Sequence, residues 1–364
     1  MESTEHVTRL AAAVRAVEES TFDAVVLGVG PDLEYLTGYM AHELERLNVL
    51  VLVPGREPTM IIPRLEAPGF PSLEGVLIRD WLDGEDALNL LFDVVGDAAR
   101  MAVSNTLRAH FVVPITRHRP ELELGLASEL IGPLRMRKSP GERALLAAAG
   151  ERADVVTTDL MEGRVPLVGQ TEREVALDIR ERLVDAGLDT VEFAIVGSGP
   201  NSASPHHSPG DRVIERGEIV LFDIGGRFGG YHSDTTRCVH TGPVPADVAE
   251  AWDVLITAHE AAVATAQVGN TCQDVDRAAR AVITDAGYGD RFIHRTGHGI
   301  GLQGHEEPYI VEGNDRPIEV GHAFSIEPGI YFDGQWGIRL EDIVVVDNDG
   351  LLRCNRAART LGEV

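Results

Sequence analysis

Ile219-Val220-Leu221-Phe222-Asp223-Ile224-Gly225-Gly226, followed by Gly229-Gly230-Tyr231-His232-Ser233-Asp234-Thr235-Thr236-Arg237, decides the fold of the C-terminal part of this chain. The apolar run has the length and composition of a buried strand, and Asp223 stands at its end, where a solvated charge is not expected. Asp234 follows 11 residues later. Glycines 225, 226, 229 and 230 lie between the two, so a hairpin sets both carboxylates side by side.

Two further acids occupy equally unusual places. Glu327 sits in Phe324-Ser325-Ile326-Glu327-Pro328-Gly329, and Glu341 in Gly337-Ile338-Arg339-Leu340-Glu341-Asp342, just ahead of another apolar strand. Four carboxylates on buried strands repel one another, and each carries a desolvation cost of several kcal/mol. Something positive must compensate. Arg237 and Arg339 offer two charges, and two divalent metal ions would offer four. Taken singly, each acid also reads as a strand-end carboxylate paired with an arginine; four together do not.

The fifth element is Thr296-Gly297-His298-Gly299-Ile300-Gly301-Leu302-Gln303-Gly304-His305-Glu306-Glu307-Pro308. Gly299-x-Gly301-x-x-Gly304 matches a dinucleotide fingerprint. The flanks, however, do not read as strand before and helix after, and a His-Glu pair follows. The glycines instead free the backbone to present His298 and His305 to one pocket.

Length, composition and charge narrow the classes. The chain has 364 residues, 44% of them hydrophobic and 25% charged, which is ample for a core and suggests two domains. Its 32 Lys+Arg against 58 Asp+Glu give a net charge of −26. That balance argues against nucleic acid as a partner and against an anionic membrane surface. The acidic, polar start Met1 to His6 does not read as a secretory signal. No apolar run approaches the roughly 18 residues that span a bilayer. Cys238, Cys272 and Cys354 show no CxxC spacing and read as buried hydrophobes in a reducing compartment, so a cytoplasmic protein is expected. Lys138 is the sole lysine and follows no glycine run, which removes a P-loop.

Along the chain, residues 1–135 alternate helical and strand signals, as in an α/β layer domain. Helical spacing runs from Val7 to Ser20 and from Glu85 to Phe92. Strands are expected at Asp23 to Leu27, Leu47 to Val53, Thr59 to Ile62 and around Ala102-Val103. The segment Ile131 to Pro140, with Gly132 and two prolines, reads as a boundary. Long helices follow over Gly141 to Met161 and Thr171 to Ala186, the second opened by the capping box Thr171-Glu172-Arg173-Glu174. From Val191 onward short β-rich runs are divided by glycines and interrupted by two helical patterns, Ala246 to Ala266 and Cys272 to Ala286. The second domain, 136–364, is therefore α+β, with the candidate chemistry in its strands and turns.

Taken in order, Leu221 to Gly225, His232 to Arg237, Gly297 to Gly301, Ser325 to Tyr331 and Arg339 to Asp342 resemble the Xaa-Pro peptidases, that is, prolidase and aminopeptidase P. The resemblance covers residues 190–345 strongly. Tyr35-Leu36-Thr37-Gly38-Tyr39 more weakly resembles that family's creatinase-type N-terminal domain. It implies a pita-bread catalytic domain over 136–364, preceded by a smaller α/β domain over 1–135. It also implies two divalent ions, Mn(II) first, with Co(II), Fe(II) and Zn(II) as alternatives. The ligand positions map onto Asp223, Asp234, His298, Glu327 and Glu341. Asp223 chelates one ion, Asp234 and Glu341 bridge the pair, and His298 with Glu327 hold the other. Four negative ligands against two divalent ions leave a near-neutral cluster able to lower the pKa of a water.

The resemblance further implies that Glu327 shuttles a proton to the departing proline nitrogen. It places His206, chosen over His207 in Asn201 to His207, near the scissile amide, and His305 near the substrate carbonyl. Arg339, two residues before Glu341 and read as on the same strand face, orients a carboxylate; Thr236 is expected to orient Asp234. The implied activity is hydrolysis of Xaa-Pro bonds in short proline-containing peptides. Prolidase is the first reading, aminopeptidase P the alternative, and a non-catalytic or non-metal pita-bread relative a third. Glu306 to Ile310 lacks the basic residue that anchors a dipeptide carboxylate in many prolidases. His42 and Arg46 read as a solvated loop or as reaching substrate across a dimer, and a homodimer is expected from the family.

Overall fold

The computed structural model describes residues 3–364, which divide after Arg135 into two compact units. The first unit is built on one six-stranded sheet. Its strands are β1 (Ala24–Gly28), β2 (Val49–Leu52), β3 (Thr59–Pro63), β4 (Leu77–Trp81), β5 (Arg100–Val103) and β6 (Glu123–Leu126), in the order β4-β3-β2-β1-β5-β6. β1 pairs antiparallel with β2 and parallel with β5. β1, β2 and β3 are buried along their whole length because helices cover the sheet: α1 (Ser3–Glu18), α2 (Pro31–Thr37), α3 (Ala87–Val95), α4 (Ala109–His118) and α5 (Ser128–Met136). Ala24, Val26, Val49, Val51 and Ile61 pack with Leu91 and Ile115 in its core.

This unit departs from the sequence expectation at its sheet edges. The edge strands β4 and β6 were not anticipated: Leu77-Ile78-Arg79-Asp80 carries no alternation, and Glu123 to Leu126 alternates over only a short edge strand. The segment Ile131 to Pro140 is helical through Gly132 and Pro133 as far as Met136, and the two units divide within it, after Arg135.

The second unit opens on α6 (Pro140–Met161), capped reciprocally by Ser139 and Glu142. α7 (Glu172–Asp185) begins at the anticipated capping box of Thr171 and Glu174. Strands β7 (Thr190–Ser198), β8 (Ile219–Phe228), β9 (Tyr231–His232) and β10 (Thr235–His240) follow, then α8 (Ala246–Thr265) and α9 (Cys272–Asp285). The remainder comprises β11 (Gly297–Gly299), β12 (Glu306–Ile310), β13 (Ala323–Ile326), β14 (Gly329–Phe332), β15 (Trp336–Arg339), β16 (Asp342–Asp347), β17 (Gly350–Arg353) and β18 (Gly362–Glu363).

One sheet runs β18-β10-β8-β7 with β9 on β8; a second runs β12-β11-β13-β16-β17; β14 and β15 form a hairpin. α6 and α7 cover one sheet through Val156, Leu160, Ile179 and Leu183 against Val196, Val220 and Phe222. α8 and α9 cover the other through Trp252, Leu255 and Ala279 against Phe324, Ile326 and Val344. Apolar stripes, with capping boxes on α6, α7 and α9, explain why these segments are helical. The three cysteines are free and buried, with thiols pushed up to about 12 for Cys238 and Cys354 and about 11 for Cys272, burial being the main cause.

Candidate active site

The hairpin expected from the glycines is present. On β8, Asp223 lies opposite Thr236 of β10, and Asp234 immediately precedes β10. His298 is the central residue of β11, between Gly297 and Gly299. A Cβ at Gly297 would collide with the Ser325 carbonyl, and one at Gly299 with the Glu307 carbonyl, so β11 fits between β12 and β13 only because its flanking residues lack side chains. Glu327 follows β13, and Glu341 lies in the two-residue step between β15 and β16. Arg339 closes β15, so the strand breaks between Arg339 and Glu341 and they do not share one strand face as their spacing suggested.

These residues face a cavity of about 830 Å³ that is also lined by Glu192, Phe193, Ile195, Pro205, His206, His232, His294, Arg295 and His305. Ligand atoms of Asp234, His298 and Glu341 lie within 4.8 Å of one another, so these three could together hold a metal ion. Glu327 adjoins them, with Oε1 3.3 Å from His298 Nε2; Asp234 Oδ2 is 3.7 Å from the same nitrogen. Asp223 is held from the other side, its Oδ2 accepting from Arg339 Nη2 at 2.7 Å.

The guanidinium of Arg339 is shared. Nε donates to Thr236 Oγ1 at 2.9 Å and Nη1 to Tyr331 Oη at 3.1 Å. Thr236 then donates to Glu341 Oε2 at 2.7 Å, which corrects the expectation that it would orient Asp234. Two-residue spacing puts the Asp234 and Thr236 side chains on one face, but Glu341, in the step ahead of β16, lies against Thr236, its backbone N–H donating to the Thr236 carbonyl. Arg237 points the other way, to Asp342 Oδ1 at 2.7 Å and to backbone carbonyls, among them that of Glu341 at 2.6 Å, and bonds none of the cluster's carboxylates.

Electrostatics make the cluster unstable as a set of bare anions. Burial, followed by the charges of Glu341, Asp223 and Glu327, pushes the Asp234 carboxyl well above its ordinary range. Burial and then Glu327 and Asp223 do the same to Glu341. Glu327 is raised to about 7, mainly by burial and against the pull of Arg339. Burial works to lower the Arg339 pKa, yet Tyr331 and the facing carboxylates outweigh it and hold it charged. Burial and neighbouring His305 lower His298 to about 3, so its ring is neutral.

Two observations fit a cation here. His298 Nδ1 lies 3.1 Å from the Gly299 carbonyl, which can only accept, so Nδ1 carries the hydrogen. The Nε2 lone pair is therefore aimed at the oxygens of Glu327 and Asp234, an arrangement that needs a proton or a metal between them. In addition, the buried Oδ1 of Asp223 has no hydrogen-bond partner among the described residues. Four oxygen donors and an imidazole, with no thiolate, suit hard or borderline divalent ions.

Around this cluster, His305 stacks edge-on to His298 with ring centroids 4.0 Å apart, and His206 stands exposed on the cavity wall. Residues without an assigned role in the sequence reading also converge. His294 donates from Nδ1 to the Arg295 carbonyl at 2.7 Å and so accepts from Tyr331 Oη through Nε2 at 2.9 Å. Arg295 packs its guanidinium 4.5 Å over the Tyr309 ring. Lys138 donates to Glu306 Oε1 at 2.6 Å, both buried, and so is committed to a structural pair beside His305. Asp276 of α9 accepts from the backbone N and the hydroxyl of Thr296, fixing the approach to His298. His294 and Arg295 directly precede the Gly-His motif and were legible as its flank. His42 and Arg46 lie in the first unit, His42 exposed and Arg46 bound to Asp83 at 2.8 Å through both Nε and Nη2.

A glycine-framed histidine, four converging carboxylates and a shared guanidinium in one open cavity define a metal-dependent hydrolytic site on an α+β scaffold. Residues 144–348 match metallopeptidase family M24, and residues 9–137 match the creatinase/prolidase N-terminal domain. The chain belongs to metallopeptidase family M24, with a pita-bread catalytic domain and a creatinase-type N-terminal domain, as its resemblance implied. It is 43% identical over 359 residues to a probable dipeptidase PepE of Mycobacterium tuberculosis, covering 97% of this chain and 95% of that one. It is 34% identical over 349 residues to an Xaa-Pro dipeptidase of Lactobacillus delbrueckii subsp. lactis, covering 92% and 93%. The crystal structure of dipeptidase PepE from Mycobacterium ulcerans superimposes with a TM-score of 0.92 at 44% identity, covering 100% of this chain and 99% of that one.

Proposed function

We propose that this chain is a metal-dependent Xaa-Pro dipeptidase, a prolidase, with two divalent ions held by Asp223, Asp234, His298, Glu327 and Glu341. The observation that carries the metal assignment is the neutral His298 Nε2 aimed at the carboxylates of Glu327 and Asp234. When bound, the ions supply Lewis-acid polarisation of the scissile carbonyl and a more acidic water. Mn(II) is our first choice because oxygen donors dominate; Co(II), Fe(II) and Zn(II) suit the same set. We assign residues 1–135 to the N-terminal domain and 136–364 to the catalytic domain.

The protein's own groups perform the rest. An Xaa-Pro nitrogen carries no hydrogen, so departure of proline requires a proton delivered to it. Glu327, which lines the cavity with its Oε1 held by Ser325 Oγ at 3.0 Å, is placed to carry that proton. His206 and His305 offer ring N–H donors on the cavity wall to the oxygen that gains charge as the carbonyl is attacked. Arg339 fixes Asp223 and, through Thr236, Glu341. Arg295 supplies the cation that Glu306 to Ile310 lacks: it lines the cavity and stacks on Tyr309 from that stretch, and a dipeptide's C-terminal carboxylate is its natural partner. A homodimer in a reducing, cytoplasmic setting completes the reading. Family resemblance supports the dimer, and the three buried thiols support the compartment.

The test is release of free proline from Ala-Pro and from Ala-Pro-Pro, each in Mn(II) and in EDTA. The expected result is metal-dependent cleavage of Ala-Pro only. Pro-Pro released from the tripeptide would identify an aminopeptidase P, and silence on both with metal bound would remove the proline specificity.

A further inference from the structure

The segment carrying His206 hangs between two strands, from Ser198 at the end of β7 to Gly210, and one buried carboxylate outside the cavity holds it at four places. Glu172 is the first residue of α7 and is 0% exposed. Its Oε1 accepts from the Ser198 backbone N–H at 2.8 Å, from Ser198 Oγ at 2.7 Å and from Asn201 Nδ2 at 3.0 Å. Its Oε2 accepts from His207 Nε2 at 2.7 Å and from the Gly210 backbone N–H at 3.3 Å. Five donors from one loop converge on a single anion, which also sits in the favourable field of a helix N-terminus.

Within the loop, the His207 N–H donates to the Ser204 carbonyl at 3.1 Å, closing a four-residue turn of Ser204-Pro205-His206-His207. Adjacent positions of such a turn project their side chains apart. His207 goes to Glu172, and His206 goes to the cavity. The orientation of His206 is thus the other half of the bond between His207 and Glu172. From these contacts we propose that Glu172 is a positioning residue for His206, holding the His207 ring and both arms of the loop so that the His206 ring stays at the cavity wall. This rests on the role given to His206 in the proposed dipeptidase reading.

Replacing Glu172 by Gln keeps the volume but turns one oxygen into a donor that faces N–H or O–H donors on whichever side it is placed. A double-mutant cycle separates positioning from general support. Wild type, Glu172→Gln, His206→Ala and the double variant would be loaded with Mn(II) and assayed for kcat and KM on Ala-Pro, with metal content measured for each. The expected loss for Glu172→Gln is on the order of tenfold to a hundredfold in kcat/KM, with metal content unchanged. On the His206→Ala background the same substitution should cost less than about twofold.

An equal loss on both backgrounds, or none on either, overturns the proposal. Wild-type kinetics in His206→Ala would remove the role of His206 and this inference with it, while metal-dependent Ala-Pro cleavage by that variant would leave the dipeptidase reading intact. Should Glu172→Gln fail to fold, the partly exposed His207 serves instead. His207→Leu should reproduce the loss, and His207→Gln, which keeps a donor for Glu172, should restore most of it; equal activity in the two variants overturns the proposal.

Discussion

Arg339 Nη2 lies 2.7 Å from Asp223 Oδ2, joining β15 to β8 across the floor of the cavity. Both side chains are largely buried, at 3% and 13% exposure, and the same guanidinium reaches Thr236, which in turn holds Glu341. One arginine therefore fixes two of the carboxylates directly or through a hydroxyl. Arg339→Met should destabilise the metal-free protein by about 3–5 kcal/mol, the cost of stripping one partner from a buried ion pair. Urea unfolding in EDTA measures it, and a change under about 1 kcal/mol would show that the carboxylates do not depend on this guanidinium.

A second expectation concerns pH. The Glu327 carboxyl is raised from 4.5 to about 7, chiefly by burial, so the folded state keeps a proton that the unfolded state has lost between those values. Its contribution to stability is present below pH 4.5 and is lost as pH rises through 7. Glu327→Gln removes this dependence without adding charge. In EDTA, the melting temperature of Glu327→Gln minus that of wild type should climb from pH 5 to pH 8. With Mn(II) present the order should reverse, because the ion favours the charged carboxylate. A difference that is flat with pH in EDTA would count against a protonated Glu327.

Arg295 yields a test of substrate size. If its guanidinium meets the dipeptide carboxylate, Arg295→Ala should raise KM for Ala-Pro roughly tenfold to a hundredfold, the scale of a charged hydrogen bond. The effect on Ala-Pro amide, which lacks that carboxylate, should be small. Equal losses on both substrates would place the carboxylate anchor elsewhere.

The sequence disclosed those parts of the site whose chemistry conflicts with their surroundings. Asp223 closing an apolar run, which the structure places in the middle of β8, and a histidine framed by glycines are conspicuous because neither belongs in a core without a purpose. Thr236 was legible as a donor but not in its target, since the choice between Asp234 and Glu341 depends on how β16 approaches β10. Arg339 and Glu341 looked like strand neighbours because a two-residue spacing hides a strand break. Glu172 and Asp276 were invisible as organisers: an acid in the first turn of a capped helix, as Glu172 is, or one turn further on, as Asp276 is, is ordinary, and only tertiary structure shows what it holds. β4 escaped because its residues carry no alternation, and β6 because its alternation is confined to a short edge strand.

The central claim is that Asp223, Asp234, His298, Glu327 and Glu341 hold a pair of divalent ions on which hydrolysis depends. Metal content per chain, measured beside Ala-Pro turnover for wild type and Asp234→Ala, tests it most directly. Two ions per wild-type chain, with both metal and turnover lost in the variant, is the predicted result. An Asp234→Ala protein that keeps full metal content and full turnover would contradict it.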